Sequence, residues 1–128
     1  MPVMIAISPG ELIDKITILE IKIARISDAS KLANVRHEFE TLIKMCDEQI
    51  EPSDRLAALT AELKTINTEL WDIEDDIRDL ERAKDFGAEF IRLARAVYQT
   101  NDRRAATKRL INDVLNSDLV EEKSYAAY

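Results

Sequence analysis

The sequence predicts an all-α fold: an antiparallel helical bundle of two hairpins, with about four or five helices and a short extended N-terminal segment. Only two glycines and three prolines occur in 128 residues, which is too few turn residues for an all-β fold. Apolar residues recur at alternating spacings of three and four, the pattern of helices with one buried face. We expect residues 1–128 to form one domain, because the chain is long enough to bury a core of its own.

The N-terminal residues 3–7, VMIAI, form an apolar run that is too short for a helix and stops at Ser8. This pattern predicts an extended segment. Its backbone groups need partners, so we expect it to pair either with residues 118–125, DLVEEKSY, or with a second subunit. The run has no basic flank and no cleavage pattern, which argues against a signal peptide or a membrane span.

The first predicted helix begins after Ser8, which is a good N-cap, with Pro9 at the first helical position and Glu11 completing a capping box. Its apolar seam is Leu12, Ile16, Leu19, Ile23 and Ile26. Ile18 and Ile21 lie on the opposite side. A helix that is apolar on two sides is either central in the fold or shared with another chain.

A turn at residues 28–30 leads to a second helix, which ends before Pro52. The seam of this helix is Leu32, Val35, Phe39, Leu42 and Cys46. A short turn between two such helices predicts an antiparallel hairpin.

The third predicted helix covers about residues 54–84 and has the strongest periodic pattern in the chain. Residues 85–87, DFG, end it, and a fourth helix follows. Residues 100–102, TND, are typical helix-capping residues, so we expect a kink or a fifth helix to start there. A second long hairpin, turning near Phe86, follows from this arrangement.

The composition excludes several kinds of site. Cys46 is the only cysteine and lies on an apolar seam, so we interpret it as a buried apolar residue rather than a nucleophile. His37 is the only histidine and lies on the polar side of its helix. No spacing of these residues suggests a metal site, and we expect no cofactor.

The net charge of −7 argues against binding to nucleic acid or to anionic membranes. Neither a signal peptide nor a membrane span is predicted, so the expected location is the cytoplasm of a bacterium.

Two groups of polar side chains lie beside the apolar seams. On the first hairpin, Glu20 and Arg36 fall within about one turn of each other, and we predict that they form a partly buried ion pair. Such a pair either sets the hairpin register or presents the Arg36 guanidinium, oriented by Glu20, to an anionic ligand.

The second group lies on the long hairpin, where a turn near Phe86 places residues of the third helix level with residues of the fourth. Polar groups around aromatic side chains in a bundle form either a ligand site or an inter-helix or subunit contact. The residues that this register brings level are Trp71, Glu74, Arg78, Arg95, Tyr98 and Asn101.

Residues 92–109 carry six cations against Asp102 alone, whereas residues 71–85 are acidic. These charges either neutralise each other within or between subunits, or the basic stretch holds a phosphate or a carboxylate.

The stretches SPGELIDKITILEIK, KLANVRHE, LWDIEDDIR, FIRLARAVYQTNDRRAATKRLIN and LVEEKSY resemble an uncharacterised family of small bacterial helical proteins, a domain of unknown function. The resemblance covers nearly the whole chain and implies no activity. A looser resemblance to helical chorismate mutases implies an all-helical subunit with arginines facing its core.

Two functions remain open. The first is a non-catalytic helical protein that acts in oligomeric assembly or protein binding, with a homodimer favoured by Ile18 and Ile21. The second is a small enzyme or sensor that binds an anionic metabolite, either chorismate-mutase-like or related to sugar phosphates, through Lys15, Arg36, Arg78 and Arg95.

Overall fold

The computed structural model describes residues 1–128 and contains four α-helices and no β-strand. The helices are α1 (Pro9–Arg25), α2 (Ala29–Gln49), α3 (Asp54–Arg82) and α4 (Ala88–Val114). The prediction of an all-α bundle built from two hairpins is therefore confirmed. None of the four helices has the length and apolar composition needed to cross a membrane.

Helix α1 is the centre of the bundle. It contacts α2, α3 and α4, whereas α2 contacts α1 alone. This position explains why α1 is apolar on two sides, since Leu19 of the seam and Ile21 of the opposite side are both buried within the single chain.

Each of the first three helices begins at a side chain that caps its free amides. Ser8 Oγ accepts a hydrogen bond from Glu11 N at 3.2 Å, as the sequence predicts. Asp28 caps α2 and Ser53 caps α3 in the same way. The capping box of α1 is incomplete, because the Glu11 carboxylate turns towards Lys108 of α4 instead of its own backbone.

The hydrophobic core lies where α1, the first half of α3 and the end of α4 meet. Its buried side chains are Ile13, Leu56, Leu59, Leu63 and Ile111. No residue of α3 beyond Asn67 is buried, and Leu93 is the sole buried residue of α4 before Thr100. The distal part of the α3–α4 hairpin is thus a two-helix arm that extends beyond the core.

The N-terminal segment does not pair with the C-terminal segment, which was one of its two predicted partners. Residues 1–8 have no regular secondary structure, and the side chains of Val3, Met4 and Ile5 are exposed. The C-terminal segment that was its predicted partner is held by ion pairs to α4 and forms no bridge with residues 3–7.

No fifth helix starts at residues 100–102, because α4 runs without interruption from Ala88 to Val114. Thr100 is buried, since α4 packs along α3 through this region. Capping residues have only a weak preference against helix interiors, and tertiary packing overrides it here.

The structure confirms the predicted exposure of the single histidine but only part of the predicted burial of the single cysteine. His37 is exposed, as predicted. Cys46 is only half-buried, because α2 has a single neighbouring helix. Partial burial, together with the nearby Asp47 carboxylate, raises the pKa of the Cys46 thiol, which makes it a poor nucleophile at neutral pH.

Candidate functional site

The most polar part of the interior is a set of ionic and amide side chains between α1, α3 and α4, which we call the α1–α4 cluster. Its members are Gly10, Glu11, Asp14, Thr17, Asn67, Arg104, Lys108, Asn112 and Glu121. It lies beside the hydrophobic core, where an unpaired charge would be strongly unfavourable.

Asp14 is the most buried charged group of this cluster, with 1% of the residue exposed. Its Oδ1 accepts hydrogen bonds from Asn67 Nδ2 and Arg104 Nε, both at 2.9 Å, and its Oδ2 accepts one from Arg104 Nη2. Asn67 Nδ2 also donates to Thr17 Oγ1 at 2.9 Å. The carboxylate is therefore neutralised by a guanidinium held in a two-point geometry.

Lys108 forms the second ionic centre of the cluster. Its Nζ lies 2.7 Å from Glu11 Oε2 and 3.1 Å from Glu121 Oε2, with 10% of the side chain exposed. Burial disfavours the charged ammonium, but the hydrogen bonds to both carboxylates outweigh this effect and raise the pKa of Lys108. The hydrogen bond from Lys108 in turn lowers the pKa of Glu11.

A close approach of α1 to α4 makes these contacts possible. Gly10 N donates a hydrogen bond to Asn112 Oδ1 at 2.7 Å, which satisfies one of the free amides at the start of α1. A Cβ atom at Gly10 would lie 2.6 Å from the Lys108 carbonyl oxygen. Any larger residue would push the two helices apart.

The cluster leaves little room for a ligand. No buried side-chain nitrogen or oxygen atom lacks a hydrogen-bond partner. A cavity of about 20 Å³ lies beside Lys108, Asn112 and Glu121, which is the space of about one water molecule. No group of histidine, cysteine and carboxylate side chains is arranged to hold a metal ion. The arrangement is suited to fixing α1 on α4 and to holding the C-terminal segment.

The predicted pair between Glu20 and Arg36 is wrong. Glu20 lies on the side of α1 that faces α3, and its Oε2 accepts a hydrogen bond from Lys64 Nζ at 2.7 Å. Arg36 is exposed on α2, which has no contact with α3. Lys15 is also exposed, and its Nζ lies 3.6 Å from Glu11 Oε1 at the edge of the α1–α4 cluster.

The predicted register of the long hairpin agrees with a contact between its two helices. Arg103 Nη1 lies 2.7 Å from Glu69 Oε2, as expected for two helices that turn near Phe86. The same register places Trp71 level with Asn101, and both side chains are half-buried.

The polar groups of that register do not join in one hydrogen-bonded network. Arg78 pairs with Glu74 at 3.1 Å along the same helix, and Arg95 is exposed. Tyr98 packs against the ring of Tyr128, with their centroids 5.1 Å apart. A ligand-binding role for these residues stays a prediction.

Most of the basic stretch in α4 is neutralised within the chain. Its carboxylate partners come from α1, α3, α4 itself and the C-terminal segment, and not from the acidic residues 71–85. The pairs are Arg92–Glu89, Arg103–Glu69, Arg104–Asp14, Lys108–Glu11, Lys108–Glu121 and Arg109–Glu122.

The centre of the α1–α4 cluster was not predicted from the sequence. Three of its residues lie next to, or one turn from, a core residue on their helix: Asp14, Asn67 and Lys108. Arg104 and Lys108, four residues apart, lead to the buried Ile111 on one face of α4. Charged residues on an apolar face are a recognisable pattern, since they require a partner from another helix.

These features define a class: a small all-α protein of two helical hairpins, joined by a buried ionic cluster that is saturated by its own side chains. The chain belongs to the family of unknown function DUF6165, whose model matches residues 3–128. No curated protein and no solved structure matches the chain.

Proposed function

We propose that this protein is a non-catalytic helical assembly protein that associates with a second copy of itself through the α1–α2 hairpin. The observation that carries the proposal is the state of α2, which has 21 residues and none of them buried. The other three helices each contribute buried residues to the interior. An amphipathic helix with one neighbour and a half-covered apolar face is typical of a subunit contact.

The charged residues of α2 support the same proposal. Eleven ion pairs occur in the chain, and none of them involves a residue of α2. The buried ionic groups elsewhere are already satisfied by the chain itself. The charged side chains of α2, such as Lys31, Arg36 and Asp47, therefore have no ionic partner within the chain.

The sequence predicts an oligomer from the second apolar side of α1, at Ile18 and Ile21. Ile21 is buried within the single chain, so this reason no longer carries the proposal. The half-buried seam of α2 replaces it, with a coiled-coil type of packing between helices. The bacterial cytoplasm is the proposed location, in agreement with a single unpaired cysteine.

Sedimentation velocity over a range of micromolar concentrations tests self-association. We expect a dimer that dissociates on dilution, and a species that remains monomeric at the highest concentration would contradict the proposal. Phe39→Glu, on the α2 seam, should give a monomer that retains its helical circular dichroism. Ile91→Glu is the matched control, because Ile91 is 56% exposed on α4 and α4 has no contact with α2.

The alternative function, binding of an anionic metabolite, has weaker support from the geometry. Arg104 and Lys108 are already neutralised, and Arg36, Arg78 and Arg95 are exposed. Thermal-shift measurements with sugar phosphates, nucleotides and dicarboxylates test it. A ligand at about 100 times its dissociation constant should add about 2.7 kcal/mol of stability.

A further inference from the structure

We propose that Lys108 and Arg109 of α4 form a binding site for a small anion that carries two charged groups, such as a diphosphate. In the free protein, the C-terminal segment, residues 116–128, occupies this site with two of its own carboxylates. The inference does not depend on the proposed self-association, because the site lies on α4 and α4 has no contact with α2.

The C-terminal segment turns back directly after α4. Asn116 has a left-handed backbone conformation, with a φ of 52°. Its N–H donates to the Asp113 carbonyl at 3.3 Å, and Ser117 N donates to the Asn112 carbonyl at 2.9 Å. This pair of hydrogen bonds is the Schellman motif, which ends a helix and changes the direction of the chain.

Beyond this turn, the segment lies along α4 and is held there by side-chain contacts. Glu121 Oε2 lies 3.1 Å from Lys108 Nζ, and the ring of Tyr128 packs against Tyr98. Residues 118–128 are exposed and make no backbone–backbone hydrogen bond. The segment can therefore leave α4 while the helical bundle stays folded.

The two carboxylates of the segment meet two adjacent cations. Glu121 pairs with Lys108, and Glu122 pairs with Arg109 at 3.4 Å. When the segment leaves, Lys108 keeps its ion pair with Glu11, and Arg109 keeps none. Two neighbouring cations then face solvent with one carboxylate between them. An anion with two charged groups can replace the two carboxylates of the segment.

The inner part of the site admits only a small group. The Lys108 side chain is 10% exposed, and a cavity of about 20 Å³ lies beside it and Asn112. Asn112 is 3% exposed, and its Oδ1 accepts the hydrogen bond from Gly10 N, which leaves its amide nitrogen to donate to a bound anion. A phosphate group in place of the Glu121 carboxylate contacts Lys108 and Asn112. Arg109, with 53% of its side chain exposed, binds the outer group.

Titration calorimetry of the full chain with inorganic pyrophosphate tests the site. In the double variant Glu121→Gln with Glu122→Gln, the segment loses both charges and competes less with pyrophosphate. We expect one-to-one binding, with a dissociation constant about tenfold lower than that of the wild type. Equal dissociation constants in the two proteins, or no binding to either, would overturn the proposal.

Two further variants separate this site from a general effect of net charge. Asp75→Asn with Asp76→Asn removes two negative charges from exposed positions of α3 and should bind pyrophosphate as the wild type does. Arg109→Gln, added to the double variant of the segment, should raise the dissociation constant about tenfold. An equal gain of affinity in the α3 variant, or no loss on removal of Arg109, would contradict a site on α4.

Displacement of the segment is measured on the wild type by nuclear magnetic resonance. Saturating pyrophosphate should shift the backbone amide signals of residues 119–128 towards random-coil values, while the helical circular dichroism stays unchanged. Binding that leaves these signals in place would show that the segment does not occupy the site, and would refute the proposal. A wild type that is monomeric contradicts the proposed self-association but not this site.

Discussion

Removal of Arg104 should destabilise the fold more than removal of its partner Asp14, although both variants break the same ion pair. The reason is what each variant leaves behind. Arg104→Ala leaves a carboxylate that is 1% exposed, whereas Asp14→Ala leaves a guanidinium whose side chain is 28% exposed and can be hydrated. An uncompensated buried charge costs far more than a partly hydrated one.

The magnitudes follow from the contacts. Breaking a buried pair by removing one partner costs about 3–5 kcal/mol, and Arg104→Ala should fall in this range. Asp14→Ala should cost about 2–3 kcal/mol, because it loses charge-assisted hydrogen bonds while Asn67 keeps its bond to Thr17. The double variant should cost less than the sum of the two single variants, since neither charge then remains buried and unpaired.

Urea unfolding followed by circular dichroism at a fixed protein concentration measures these differences. The fixed concentration is needed because self-association would contribute to the apparent stability. Arg103→Ala is the matched control, because Arg103 is adjacent and pairs with Glu69 while its side chain is 56% exposed. The control should cost at most about 1 kcal/mol. Equal losses for Arg103→Ala and Arg104→Ala would refute the importance of the buried pair.

Two further predictions concern the α1–α4 cluster. Gly10→Ala should lower the free energy of unfolding in urea by about 1–3 kcal/mol, because the added Cβ would lie 2.6 Å from the Lys108 carbonyl oxygen. Gly87→Ala is the control and should lower it clearly less, because Gly87 is in a more open position. The lowered pKa of Glu11 implies stability that is present above its ordinary value of 4.5 and is lost as the pH falls through the lower folded value. Glu11→Gln should remove this part of the acid-dependent loss, and an unchanged dependence of unfolding free energy on pH would contradict the assignment.

The helices and their pairing could be predicted from local patterns. Ser8 and Ser53 begin helices where the capping rules place them, and the turn near Phe86 sets the register in which Arg103 meets Glu69. These features depend on residues that are close in sequence or joined by a short turn. Periodicity and capping therefore contain most of the necessary information.

The candidate site was only partly predictable. Glu20 was predicted to pair with Arg36, because a carboxylate near the edge of the apolar face of α1 needs a partner and α2 is the next helix along the chain. The choice between two neighbours of a central helix depends on how α1 is rotated in the bundle. That rotation places Glu20 beside Lys64 of α3 instead.

By itself, the sequence determined that this protein is a bundle of two helical hairpins, since the spacing of apolar residues and the caps act over one or two turns. Only the tertiary structure decided which charges become partners. Asp14 meets Arg104 across 90 positions, and Glu11 meets Lys108 across 97. Such contacts depend on the packing of α1 against α4, which brings Gly10 against Asn112 and which no local pattern specifies.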